Sequence, residues 1–167
     1  CIYLFSIFFH LLYIYIYMKT SIDLKYQGIM FIVMIIVGVC FNPMNMLAYR
    51  FNDLYISLTL VYGGLIMASN MVWAHELVHL LRHGMMNRFV FSVGVCLTIL
   101  FTLLIREQLL VDDKQWLRRM ISHHSTALTT SHKIKDRTEN EELKQLSQEI
   151  INTQEKEITQ MKQLLMK

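Results

Sequence analysis

Charge is absent from three long stretches of this chain and dense after them. Tyr26–Leu47, Tyr55–Trp73 and Phe89–Ile105 hold no Asp, Glu, Lys or Arg, whereas the 62 residues from Arg106 onward are rich in all four. A helix that crosses the hydrocarbon layer needs about 20 apolar residues, and each stretch approaches or reaches that length. Hydrophobic residues make up 54% of the chain and charged residues 17%. The little chain left over could not wrap three such helices in water. The expected architecture is therefore all-α: about three transmembrane helices, with spans near 26–47, 55–81 and 89–105 inside a membrane domain over 18–106, then a water-facing part over 107–167.

Polar junctions divide the spans: Arg50-Phe51-Asn52-Asp53 first, then Arg82 to Arg88. Lys19, Lys25, Arg82 and Arg88 fall on one side, so the positive-inside rule predicts a cytoplasmic N-terminus and an extracytoplasmic C-terminal part. Residues 1–17 are almost wholly Ile, Tyr, Phe and Leu, lack a basic leader and stop at Met18. They read as an upstream extension before a start at Met18, or as a short fourth apolar helix. The net charge is +3 and the basic residues are scattered, which is no footprint for nucleic acid. The cysteines lie apart in apolar runs with no C-x-x-C pair, so no disulfide framework is expected.

One motif carries explicit chemistry. His75-Glu76-Leu77-Val78-His79 is H-E-x-x-H, which on a helix sets two imidazoles one turn apart beside a glutamate. His75, His79 and Glu76 are thus a secondary candidate metal site. A catalytic zinc needs a third ligand, and intramembrane zinc peptidases draw an aspartate from another span. The other apolar runs contain no carboxylate, so the motif is read as interfacial polar residues and the chain as non-enzymatic.

Beyond Val111 the period becomes helical. Trp116, Leu117, Met120, Ile121, Ala127 and Leu128 form one stripe; Leu143, Leu146, Ile150, Ile151, Ile158, Met161 and Leu165 form another. Lys135 to Asn140 reads as the turn, so the two helices should pair as an antiparallel hairpin. Counting out from that turn sets Met120 against Gln154 and His124 against 148–150. One hairpin buries one seam, and a second copy or the membrane part would complete a bundle. Met120, His123 and His124 on the first helix, with Gln154, Glu157 and Met161 on the second, are the candidate metal ligands. Thioether and imidazole suit copper first and zinc second. Packing without metal is the equal alternative, with the methionines as core fillers.

The hairpin stretches "VDDKQWLRRMISHHSTALTTSHKI" and "ELKQLSQEIINTQEKEITQMKQLL" resemble the family catalogued as domain of unknown function 305, which is similar to ferritin-like helical proteins. The matches are Asp113, Met120, Ile121, His123, His124 and Ala127, then Glu149, Ile150, Ile151, Gln154, Glu157, Ile158 and Met161. "LYISLTLVYGGLIMASNMVW" and "LLIREQLLVDD" are similar to the membrane-anchored branch of that family. The resemblance implies a ferritin-like half bundle on a membrane anchor, with copper binding or tolerance as in some soluble relatives. Ser122 stands where the family pattern has proline, and Thr130 where copper-linked members have methionine. The resulting expectation is a bilayer-embedded protein that buffers a metal, copper foremost, through its hairpin. A structural or interaction role without metal is the alternative, and an intramembrane peptidase the third reading.

Overall fold

The computed structural model describes residues 24–167, so the reading of residues 1–17 lies outside it. Among the described residues the regular structure is helical: α1 over 24–40, the single turn α2 (Pro43–Met46), one 3-10 turn at Phe51–Asp53, then α3 (Leu58–His83), α4 (Arg88–Arg106), α5 (Asp113–Arg137) and α6 (Glu141–Leu165).

Local chemistry sets the boundaries. Asn42 closes α1 and opens α2 together. Its Nδ2 donates to the carbonyls of Gly38 and Val39 at 3.1 and 2.9 Å, while its Oδ1 accepts from Asn45 N at 3.1 Å. Ser57, Asn87, Asp112 and Asn140 cap the N-termini of α3, α4, α5 and α6, each accepting backbone N–H groups of the first turn. Gly84 ends α3 with φ +68°, the left-handed conformation that glycine adopts without steric cost.

α1, α3 and α4 run antiparallel in turn. Gln27 near the start of α1 bonds His75 near the end of α3, and a Cβ added to Gly38 would lie 2.8 Å from Gly64 Cα, so the two helices touch backbone to backbone. α3 meets α4 as closely at Gly94, where an added Cβ would sit 2.9 Å from Trp73 N. Small residues at such crossings are how apolar helices approach one another without a hydrophobic driving force.

Leu24–Met46 and Arg88–Arg106 are long and apolar enough to cross a membrane; that is two segments, not the three expected. α3 falls short in composition rather than length. Ser69, Asn70, His75, Glu76 and His79 lie from its middle onward, so each span-length window takes in several of them.

The hairpin forms as expected. Leu117, Ile121, Leu128, Ile151, Ile158 and Met161 are its buried core, with Met120, Leu165 and Tyr55 packed against them. The turn is shorter than expected. α5 continues through Lys135 to Arg137, and Thr138–Asn140 alone make the reversal. The register also slides by about two helical turns, more than the shortened turn alone would give. His124 faces Glu157, not 148–150, and Lys135 Nζ reaches Gln148.

Candidate functional site

The expected ligands on the hairpin separate into two environments. Met120 and Met161 belong to the apolar core, Met161 as a buried member and Met120 packed against it. His123 is exposed on the opposite side of α5 from the buried Ile121 and Ser125. His124 is half-buried, and its Nδ1 lies 3.0 Å from Glu157 Oε2. The pair is near enough to attract, yet Nδ1 is shielded from solvent and has no hydrogen bond of good alignment. The rings of His123 and His124 meet edge to face, their centroids 5.8 Å apart. Gln154 is half-buried on α6, one turn before Glu157. Partial desolvation of its ring, with the charges of Arg119 and His124 adding to it, holds the His123 imidazole below its usual pKa although the residue as a whole is exposed. His123 is therefore a neutral donor over more of the acidic range than a free histidine. No group of three or more His, Cys, Asp or Glu side chains is placed to share an ion among the described residues.

The H-E-x-x-H segment occupies the end of α3 remote from the hairpin. Glu76 is buried, and its two oxygens are engaged: Oε1 accepts from Gln27 Nε2 at 3.2 Å and Oε2 from Asn87 N at 2.9 Å. It thereby ties the start of α1 and the capping residue of α4 to α3. His75 shares the same glutamine at 2.8 Å, and His79 Nδ1 meets the carbonyl of Met85 at 2.8 Å. The three residues are not directed at a common point. The glutamate that would activate water in a peptidase is here a bracket between helices.

The most connected polar cluster was not singled out from the sequence. Asp53 is fully buried at the seam between the α1–α3 loop and the hairpin. Its carboxylate pairs with Lys162 Nζ of α6 and accepts from Ser125 Oγ of α5 at 2.7 Å. Ser122 Oγ donates to the Asp53 carbonyl at 2.8 Å and accepts from Tyr55 N at 3.2 Å. Ser125 Oγ also accepts from Tyr49 N at 2.9 Å, and Thr126 Oγ1 donates to the carbonyl of Met44 at 3.1 Å. Outside this cluster Arg50 grips Glu155 with both guanidinium nitrogens, and that carboxylate raises the arginine's pKa. Tyr49 stacks on His132 with centroids 4.9 Å apart. Three hydroxyls one helical face apart on α5 thus receive the loop 44–55. The sequence signal was the Ser122, Ser125, Thr126 spacing on one face of α5 and an acid, Asp53, in the short junction before α3.

Gln115 completes the joint, its Oε1 accepting from Leu58 N at 2.8 Å at the start of α3. Tyr62 Oη donates to the carbonyl of Leu109 at 2.8 Å, which holds the α4–α5 connection against α3.

Comparison with known proteins agrees with this division. Residues 105–165 match the family described as a domain of unknown function (DUF305). The chain is 33% identical over 126 residues to the uncharacterized protein L153 of Acanthamoeba polyphaga mimivirus, which covers 74% of this chain and 81% of the viral one. That likeness is about twice as long as the DUF305 match, so it extends into the apolar helices as well. No solved structure matches the chain.

Proposed function

This chain belongs to the DUF305 family, and we propose that it is an integral membrane protein that holds a ferritin-like hairpin rigidly at one face of the bilayer. The observation that carries the reading is the pairing of a greasy surface with a polar lock. Ile29, Ile32 and Ile36 on α1 and Phe89, Ile99 and Leu103 on α4 are more than half exposed. Water disfavours such a surface by about 25 cal/mol for each Å² of apolar area, and lipid does not. At one end of these helices Asp53, Lys162 and Ser125 fasten the hairpin to the α1–α3 loop.

The third span follows from connectivity. If α1 and α4 cross, α3 joins the hairpin end of one to the remote end of the other and crosses with them. Its 26 residues rise about 39 Å, ample for the hydrocarbon layer. Its Ser69, Asn70 and Glu76 are spent on partners inside the bundle or at its end. The remote end carries Lys25, Arg82 and Arg88, which favours a cytoplasmic position for it and an extracytoplasmic hairpin. Leu143 and Leu146 on α6 and Ile134 on α5 stay exposed, which suits association with the hairpin of a second copy. The role is structural rather than catalytic. The protein should remain in membranes through an alkaline carbonate wash; release into the supernatant would overturn the reading.

A metal role is the second reading, favoured by the buried His124 Nδ1 that lacks an aligned partner. His124 Nδ1 and Glu157 Oε2, 3.0 Å apart on facing helices, are a nitrogen and oxygen pair of the kind that suits a borderline ion such as Cu(II) or Zn(II). Cu(I) fits less well, because Met120 and Met161 are engaged in the apolar core and Thr130 brings no sulfur. A bound ion would cross-link α5 to α6. In a Cu(II) titration, His124→Ala should weaken binding at least about tenfold. Equal binding by parent and variant would remove the hairpin as a metal site.

A further inference from the structure

We propose that His79 and His83 form a separate divalent-cation site at the end of the anchor remote from the hairpin. The two lie four residues apart on the last turns of α3, with ring centroids 4.8 Å apart and planes inclined by 43°. That is the spacing at which two imidazoles of one helix can share an ion.

The loop after α3 prepares the first of them. Gly84, at φ +68°, turns the chain back so that the carbonyl of Met85 reaches His79 Nδ1 at 2.8 Å. A carbonyl only accepts, so Nδ1 carries the proton of the neutral ring, and the lone pair is left on Nε2. The same contact fixes the ring plane. This is the outer-shell arrangement that orients histidine ligands in metal sites. His83, one turn further on, is exposed, and its ring meets that of His79. Both sit at the helix C-terminus, where the aligned carbonyls favour positive charge.

The pairing divides the H-E-x-x-H motif differently from its sequence. His75 and Glu76 are held by Gln27, and Glu76 also by Asn87 N. The ligands are thus the second histidine of the motif and the one beyond it, with water in the remaining positions. An ion bound there would staple the last turn of α3, and through Met85 the turn into α4. The class is a borderline divalent cation, Zn(II) or Cu(II), since imidazole is the donor.

The test uses untagged full-length protein in detergent, in a His123→Ala/His124→Ala background that silences the hairpin histidines. Zn(II) titrated calorimetrically should bind with one-to-one stoichiometry. His83→Ala, which removes an exposed ring without touching the loop contact, should weaken that binding about tenfold or more. His79→Ala should do the same, and His75→Ala should leave it unchanged. Absence of saturable Zn(II) binding in the background protein would overturn the proposal. So would equal binding by His83→Ala, or a loss on His75→Ala as large as on His79→Ala. None of these outcomes bears on the hairpin site or on membrane insertion.

Discussion

Replacing Lys162 with methionine is expected to loosen the docked hairpin by about 3 kcal/mol, the low end of the cost of leaving one partner of a buried ion pair alone. Methionine keeps the length and most of the packing of the lysine stem, so the loss isolates the charge. The asymmetry of the pair makes this direction the severe one. Asp53 is fully buried, whereas the Lys162 side chain keeps 29% of its exposure. Without the ammonium, the carboxylate retains only Ser125 Oγ. Without Asp53, by contrast, the lysine can swing into water and only a hydroxyl loses its acceptor. Asp53→Ala should therefore cost less than Lys162→Met. Adding Asp53→Asn to Lys162→Met should recover part of the loss, because the two positions are coupled.

The measurement is amide hydrogen exchange at Tyr49 and Tyr55, whose N–H groups are held by Ser125 and Ser122. A loss of 3 kcal/mol would accelerate exchange there by roughly a hundredfold. The amides within α6 should change less, since its apolar seam with α5 is untouched. Unchanged protection at Tyr49 and Tyr55 would mean that the loop is held by Arg50–Glu155 and the serines alone, and that Asp53 is a passenger.

What the sequence disclosed and what it concealed follow from the range of the forces concerned. Helix boundaries are local, and the capping residues Ser57, Asn87, Asp112 and Asn140 are each visible one residue before their helix. The two apolar stripes of the hairpin are also local, repeating along α5 and α6. Register is not local. It depends on where α5 stops, and Lys135-Asp136-Arg137, polar enough to read as turn, are good company for a helix C-terminus with its basic residues. The partner of His124 is Glu157, a displacement larger than the three extra residues of α5 alone would give.

Asp53 was concealed for a related reason. By sequence it is one polar residue in a short junction, three positions after Arg50. Its partners lie about 70 and 110 positions away, in Ser125 and Lys162. The departure from the family pattern at Ser122 was visible, but its consequence was not. The residue in place of proline is a hydroxyl that both donates to the Asp53 carbonyl and accepts from Tyr55 N. Proline could supply neither contact. The H-E-x-x-H glutamate was legible as a polar residue at a helix end, and its bracket to Gln27 and Asn87 required the antiparallel arrangement of three helices.

Gly94→Leu should separate α3 from α4 at a cost of about 2–3 kcal/mol, the range for forcing bulk into a close-packed contact. The first atom of any side chain there already meets resistance that cannot rotate away. A Cβ would lie 2.9 Å from Trp73 N and 3.1 Å from both Trp73 Cβ and Val72 Cγ1. Backbone must move, and the contacts on either side of it move too. One turn along, Thr98 Oγ1 and Trp73 Nε1 both donate to Asn70 Oδ1, at 3.0 and 3.1 Å. Toward the other end, Glu76 holds Asn87 N at 2.9 Å. Separation would break the Thr98 bond, the one of the two that crosses from α4 to α3, and leave the amide oxygen of Asn70 with the Trp73 indole alone. Trp73 reports the change directly, since its own backbone and Cβ are what the new side chain displaces, and its fluorescence would shift. Gly63→Leu is the matched control, because a Cβ on Gly63 meets nothing within 4 Å. That substitution should leave the bundle intact and favour the helix slightly, as leucine is the better helix former. Equal effects of the two substitutions on Trp73 emission and on unfolding in detergent would show that α3 and α4 are not packed through Gly94, and the anchor would need a different arrangement.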